Sequence, residues 1–305
     1  MSQTELLQQL ANMSTEARNP DSAELDKMNS LAIVSLINQA DHTVAPAIKA
    51  CLPQVARAVD AIVAAFSRGG RLIYAGAGTS GRLGILDAAE CPPTFSVPAE
   101  QVTALIAGGS KAIQQAVEGA EDSPQLAVEA LTAINFGPDD VLVGIAASGR
   151  TPYVMGALAH GRKLGATTVA ISCNANGPVL AAADIAICAE VGPEVLTGST
   201  RMKAGTAQKM LLNMLSTAAM VRSGKVYQNL MVDLHASNQK LEARAVRIVM
   251  QATDCDSATA NAALLQAGMH AKLAILMILT GQDVASCQRA LADSQGFVSK
   301  ALEQQ

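Results

Sequence analysis

"LIYAGAGTSGR", Leu72 to Arg82, is the stretch on which the reading of this chain turns. A run of apolar, β-prone residues passes directly into three closely spaced glycines, Gly76, Gly78 and Gly81, and then into a further apolar stretch. That is the pattern of a strand turning sharply into a helix, with glycines that let the backbone approach a ligand. Taken literally, Gly76 to Gly81 is G-x-G-x-x-G, the dinucleotide fingerprint. Two of its variable positions, Thr79 and Ser80, are hydroxyls, which equally suits a single phosphate.

Working outward, short β-rich runs at Leu72–Ala75, Val102–Ala107, Val141–Ala146, Thr167–Ser172 and Ile185–Ala189 alternate with helical stretches. The helices are predicted over Ser80–Ala89, Ser110–Val117, Pro124–Ile134, Pro152–Leu164 and Ser199–Arg222. Continuous apolar strands separated by helices predict an α/β three-layer α/β/α sandwich with a mainly parallel sheet, over residues 71–225. Ahead of it, residues 22–70 carry apolar side chains at helical spacing (Leu25, Met28, Leu31, then Val55, Val59, Ile62, Phe66), closed by Gly69-Gly70. Residues 1–21 are polar and predict a loose arm. Residues 226–256 predict a connecting helix. Residues 257–305 predict a small bundle of three short helices, broken at "GMH", "TGQD" and "SQG".

Composition narrows the function. Trp is absent and only 2% of the 305 residues are aromatic, so binding by stacking, as single-stranded nucleic acid requires, is poorly supported. A net charge of −4 without a basic block argues against nucleic acid and anionic membrane as partners. The six cysteines (51, 91, 173, 188, 255, 287) show no C-x-x-C, which reads as free thiols in a reducing compartment. The four histidines (42, 160, 235, 270) form no ligand pair, so no metal is expected. The first twenty residues lack the apolar core of an export signal, and no run approaches 18 apolar residues. A soluble cytoplasmic protein is expected.

In an open parallel sheet, ligands bind at the carboxyl ends of the strands. Three turns at that edge share a chemistry: Gly78-Thr79-Ser80-Gly81-Arg82, "ASGRTPY" (Ala147–Tyr153) and "TGSTRMKAGT" (Thr197–Thr206). Each offers glycine, hydroxyls and the N–H groups of a helix start, where the dipole favours an anion, with Arg82, Arg150, Arg201 and Lys203 nearby. One such turn is as readily a helix cap. Three on one edge indicate a bound phosphate. The dinucleotide reading needs an acid at the end of the second strand, about 20 residues on. That strand ends "LIAGGSK", Leu105 to Lys111, with none. A phosphate monoester is the better reading, with no nicotinamide cofactor.

Two acidic stretches accompany these turns. "LDAAECPPTF" places Asp87 and Glu90 at the end of a helix that Pro92-Pro93 is expected to halt, and "VEGAEDSPQ" carries Glu118, Glu121 and Asp122. Asp122, just before Ser-Pro, reads as a capping acid. A phosphate grip with two carboxylates suits proton transfer on a phosphorylated sugar, either isomerisation or elimination.

At these residues a resemblance becomes specific. The phosphate turns are similar to the sugar isomerase (SIS) domain. "GAGTSGRLGILDAAECPPTF", "VEGAEDS", "GIAASGRTPYV" and "GPEVLTGSTRMKAGTAQK" (Gly192–Lys209) resemble the N-acetylmuramic acid 6-phosphate etherase family, related to the glucokinase regulatory proteins. The resemblance runs from about Leu25 to the C-terminus. It implies loss of D-lactate from N-acetylmuramic acid 6-phosphate in cell-wall recycling, a homodimer, a C-terminal helical domain and no cofactor. Its two catalytic glutamates map onto Glu90 as acid and Glu121 as base. Thr79, Ser80, Gly81, Ser148, Gly149 and Thr151 would hold the 6-phosphate, and Lys240 in "HASNQKL" is a further possible contact. The acid should be buried, raising its pKa. Two rival readings fit part of the same pattern: an aldose–ketose isomerase, needing one base, and a non-catalytic sugar-phosphate sensor, needing neither glutamate.

If Ser80 to Glu90 is an unbroken helix, ten residues place Glu90 roughly 15 Å from the phosphate turn, farther than one sugar spans. Either the helix breaks early or Glu90 serves the neighbouring subunit.

Overall fold

The computed structural model describes residues 13–233 and 239–304, with the side chains of Gln239 and Lys240 left out. Two helices, α1 (Ser30–Asp41) and α2 (Val44–Ser67), precede a five-stranded sheet. Its strands are β1 (Leu72–Gly76), β2 (Val102–Ile106), β3 (Val141–Ile145), β4 (Thr167–Ser172) and β5 (Ile185–Cys188). All pair in parallel, in the order β2-β1-β3-β4-β5. The strand order therefore reverses between β1 and β3, and the crevice at their carboxyl ends is the place where such a sheet binds ligands.

Every residue of β1 and β3 is buried, as expected of central strands covered on both faces. On one face, Ile73, Ala75 and Leu142 pack with Ala127 and Leu131 of α5 (Pro124–Ala133) and with Val154 and Leu158 of α6 (Pro152–Lys163). On the other, the Tyr74 hydroxyl donates to Asp87 Oδ2 at 2.8 Å, tying β1 to α3 (Gly78–Phe95). Buried residues of α2 recur at helical spacing (Ile48, Cys51, Val55, Ala58, Val59, Ile62, Ala65), and this helix packs against β1, β3 and β5. Ser30–Ser67 is long and apolar enough to cross a membrane by length and composition alone, but a core helix passes the same test. At the sheet's amino edge, Asp140, 5% exposed, accepts from Arg71 N and Nε and from Gly137 N, and pairs with Arg71 Nη2 at 2.7 Å.

The remaining sheet-side helices are α4 (Lys111–Gln114), α7 (Pro178–Ala181) and α8 (Lys203–Arg222). The chain forms two compact units: residues up to Ala88 with Glu100–Leu215, and Ala89–Ala99 with the chain from Ser216 onward. The second unit is helical, with α9 (Gln239–Thr253), α10 (Ser257–Gln266), α11 (Ala271–Thr280), α12 (Val284–Asp293) and α13 (Val298–Glu303). Val249, Leu264, Leu276, Cys287 and Val298 are among its buried centre. Asp256 and Asp283 cap α10 and α12 by accepting from Thr259 N and Ser286 N, which holds both carboxyls below their ordinary pKa.

Three local expectations change. Where a helix is predicted from 226, residues 227–230 form a turn closed by the Tyr227–Leu230 bridge with Gln228 at φ +53°, and the described helix spans Gln239–Thr253. The bundle has four short helices, because each predicted break separates two of them. And α3 does not stop before Pro92-Pro93 but runs through both to Phe95. The prolines remove the N–H groups that would bond Ala88 and Ala89. Burial of Cys91 and Phe95, one turn apart, holds the last turn helical, and Ser96 N still donates to Pro92 O at 2.9 Å.

Candidate functional site

The turn after β1 is tight because a side chain at Gly76 would meet Gly81 N at 2.8 Å, so the chain enters α3 with no room for a Cβ. Gly78 opens the helix at φ +52°. Thr79 and Ser80 thus lie in its first turn, where N–H groups have no intrahelical acceptor. Gly81 packs against Ile106 of β2 and Gly76 O, where an added Cβ would come within 2.8 Å. The Ser80 side chain is buried and its hydroxyl donates to Gln208 Oε1 on α8 at 2.9 Å. Arg82 Nε donates to Ile113 O at 2.9 Å, fastening the neighbouring β2 loop.

That loop brings in one of the two carboxylates. Gly119, at φ +73°, leads into a single 3-10 turn, Ala120–Asp122, on which Glu121 is exposed. Glu121 lines a cavity of about 160 Å³ together with Gly78, Arg82, Ala107, Val117 and Glu118. The cap of the following helix is Ser123, which accepts from Leu126 N, rather than Asp122 as expected from the sequence. A serine directly before proline at N1 needs no help from its acidic neighbour.

The turn after β3 is built with equal economy of space. At Gly149, φ +73°, an added Cβ would lie 2.6 Å from Gly177 Cα and 2.6 Å from Ser172 Oγ. Ser148 accepts from Arg150 N at 3.3 Å. Thr151 stands at the N-cap of α6, yet its hydroxyl makes no capping bond. Ser148 and Arg150 line a second cavity, about 550 Å³, with Met13, Ser14, Asn174 and Glu190. So Glu121 and Ser148 face two different cavities.

The third turn departs from its reading. Glu194, fully buried, accepts from Lys203 N at 3.0 Å and Ala204 N at 2.9 Å, and so caps α8 with a carboxylate from within the chain. Lys203 is buried and donates Nζ to Val191 O at 2.7 Å. The helix start and the lysine expected to attract a phosphate are already engaged. Arg201 is exposed.

Glu90 is exposed as well, on the part of α3 that belongs with the helical unit. Burial of the acid, expected on chemical grounds, is not supplied by its own chain. Because α3 is continuous, the early break that would have brought Glu90 nearer the phosphate turn does not occur. Lys240 falls in the first turn of α9, but its side chain lies outside the described residues. Among the described residues no group of three or more His, Cys, Asp and Glu could hold a metal ion.

Three further residues shape the site without a mark in the sequence. Asn174, 4% exposed, accepts from Ser14 Oγ and Thr15 N and donates to Thr15 Oγ1 and to Ala147 O at 3.1 Å. Residues 13–16, read as part of a loose arm, are therefore pinned against the backbone next to Ser148. Glu194 and Gln208 are the others. Asn174 and Gln208 bond partners far along the chain, and Glu194 bonds a helix start nine residues on, and "GPE" and "TAQK" carry no local mark of it.

Family models described as the glucokinase regulatory protein N-terminal SIS domain, the SIS domain and the C-terminal lid domain of glucokinase regulatory protein match residues 54–162, 121–218 and 228–274. N-acetylmuramic acid 6-phosphate etherase of Pseudoalteromonas atlantica is 59% identical over 304 residues, covering 100% of this chain and 99% of the relative. The etherase of Aeromonas hydrophila is 60% identical over 291 residues, covering 95% and 98%. A solved chain from Bacteroides fragilis, described as a phosphosugar isomerase involved in capsule formation, superposes with a TM-score of 0.50 at 20% identity. It covers 67% of this chain and 97% of its own length, and shares the fold.

Proposed function

Because the chain belongs to the N-acetylmuramic acid 6-phosphate etherase family, we infer that it removes the D-lactyl ether of N-acetylmuramic acid 6-phosphate. The products are N-acetylglucosamine 6-phosphate and D-lactate, in recycling of the cell wall. The observation that carries this is identity along essentially the whole chain, far beyond a shared fold.

The chemistry follows from two carboxyl groups. With the sugar ring open, the C1 aldehyde acidifies the C2 proton, and the Glu121 carboxylate takes it. The electron pair left on C2 forms the C2–C3 double bond as the C3–O bond breaks. Glu90 gives its proton to the departing ether oxygen, releasing lactate. Water then adds at C3, losing a proton to Glu90, while C2 regains one from Glu121. Thr79, Ser80, Ser148 and Thr151, with the backbone at Gly81 and Gly149, hold the phosphate and so set the reacting carbons against these groups. The uncommitted hydroxyl of Thr151 and the place of both turns at the β1/β3 switch point support that role.

Glu90 serves the site of the neighbouring subunit in this proposal. The unbroken α3 and the exposure of Glu90 in its own chain favour it. A homodimer is further supported by α1, an apolar helix without one buried residue, on which Leu31 is 75% and Val34 57% exposed. None of the six cysteines, all among the described residues, is in a disulfide, which supports a reducing, cytoplasmic setting. Incubation with N-acetylmuramic acid 6-phosphate in ¹⁸O water tests the reaction. Label is expected at C3 of the sugar product and not in lactate; label in lactate would refute elimination.

A further inference from the structure

Gln208 is fully buried on α8, and only half of its amide is used. Its Oε1 accepts the Ser80 hydroxyl, while its Nε2 is buried without a partner. A buried N–H left unpaired is the costlier kind of orphan, and native structures rarely keep one without a reason.

The hydroxyl of Ser80 has one proton. As long as that proton goes to Gln208 Oε1, Ser80 can offer a phosphate dianion only lone pairs, which repel it. Rotation of the amide by half a turn reverses both defects together. Nε2 then donates to Ser80 Oγ, the orphan donor is satisfied, and the Ser80 proton is released toward the helix start where the anion would sit. What remains unpaired is a carbonyl oxygen, the cheaper orphan.

We propose that Gln208 is a positioning residue for the sugar-phosphate site: its amide donates to Ser80 Oγ and turns the Ser80 proton onto a phosphate oxygen. The inference rests on the reading of Ser80 as a phosphate ligand. It needs no change in the fold, only an amide whose two ends have nearly the same shape. It also explains why a polar side chain sits at a position on α8 that is otherwise enclosed, between buried Ala207 and Leu211.

The test compares Gln208→Glu, Gln208→Met and Ser80→Ala in the full-length protein, reading KM, kcat and inhibition by inorganic phosphate. A carboxylate at 208 can only accept, so it holds the Ser80 proton back. Gln208→Glu should weaken phosphate inhibition and raise KM by about tenfold or more at pH 8, the loss of one charge-assisted bond plus a new repulsion. The defect should shrink toward pH 5, where the new carboxyl regains a proton and can donate. Gln208→Met removes the acceptor without trapping the proton and should change phosphate inhibition far less. Equal phosphate inhibition in Gln208→Glu, Gln208→Met and the unaltered protein would overturn the inference. In the unaltered protein, labelled with ¹⁵N-glutamine, the Gln208 side-chain amide signal should move on adding inorganic phosphate and stay put in Ser80→Ala. A signal that ignores phosphate would overturn the inference even if Gln208→Glu fails to fold. If Ser80→Ala itself leaves phosphate inhibition unchanged, the reading of Ser80 as a ligand fails, a separate result.

Discussion

Two glycines of the candidate site adopt nearly the same backbone but differ in what surrounds them, and that contrast can be measured. Gly78 and Gly149 have φ of +52° and +73°. Alanine at either must adopt a left-handed conformation, at a cost of about 1–2 kcal/mol. At Gly78 a Cβ would meet nothing within 4 Å, so the conformational term is the whole effect. At Gly149 the Cβ would lie 2.6 Å from the Cα of Gly177, a backbone atom that cannot rotate away. Gly177 is itself held by its N–H to Asn174 O at 3.1 Å, and Val179 N donates to Gly149 O at 3.0 Å. Overpacking against a fixed backbone adds about 1–3 kcal/mol. Gly149→Ala should therefore be less stable than Gly78→Ala by roughly that amount, or about 1 M in the urea midpoint at an ordinary dependence on denaturant. The chain has no Trp, so circular dichroism at 222 nm is the probe. Coincident midpoints for the two variants would refute the claim that the β3 turn is held against the β4 loop.

Mixed dimers test the proposed sharing of the site: inactive Glu90→Gln and inactive Glu121→Gln subunits, combined, should recover part of the activity, and no recovery would refute it. Asn174→Asp should destabilise the protein by about 2–3 kcal/mol, since it buries a charge and strips the donors to Thr15 and Ala147; limited proteolysis near residue 18 should accelerate, and an unchanged cleavage rate would contradict the pinned arm. Burial pushes the Cys173 thiol up to about 12 and the Cys188 thiol up to about 11. A thiol whose pKa is higher in the folded than the unfolded chain stabilises the fold in full below about pH 9, and that contribution is lost as pH rises toward 12. The thermal midpoint should accordingly fall above pH 9, less steeply in Cys173→Ala, and identical slopes would show that this thiol is not the cause.

The strands were legible because each is a short β-prone, largely apolar run bounded by glycine or by polar turns, and in β1 and β3 that run is buried on both faces. What could not be read is which strands lie side by side. That β2 flanks β1 on one side and β3 on the other depends on pairings across the chain, and no local pattern encodes them. Yet this order is what carries Glu121, on the loop after β2, to the cavity beside Gly78. The same blindness explains Thr15 and Asn174, whose side chains meet across 159 positions. Glu194 is closer, nine residues before Lys203, yet no local pattern marks its carboxylate as the group that fills that helix start. Local rules also misled at Pro92-Pro93, where packing of Cys91 and Phe95 outweighs the loss of two backbone donors. Of the local misreadings, this one bears most on the chemistry. A helix halted at Ala89 could have folded its acid back toward its own phosphate turn. A helix that continues to Phe95 sets Glu90 ten residues along from Ser80, about 15 Å by helical rise, and that length is what favours the proposed contribution of Glu90 to a neighbouring subunit's site.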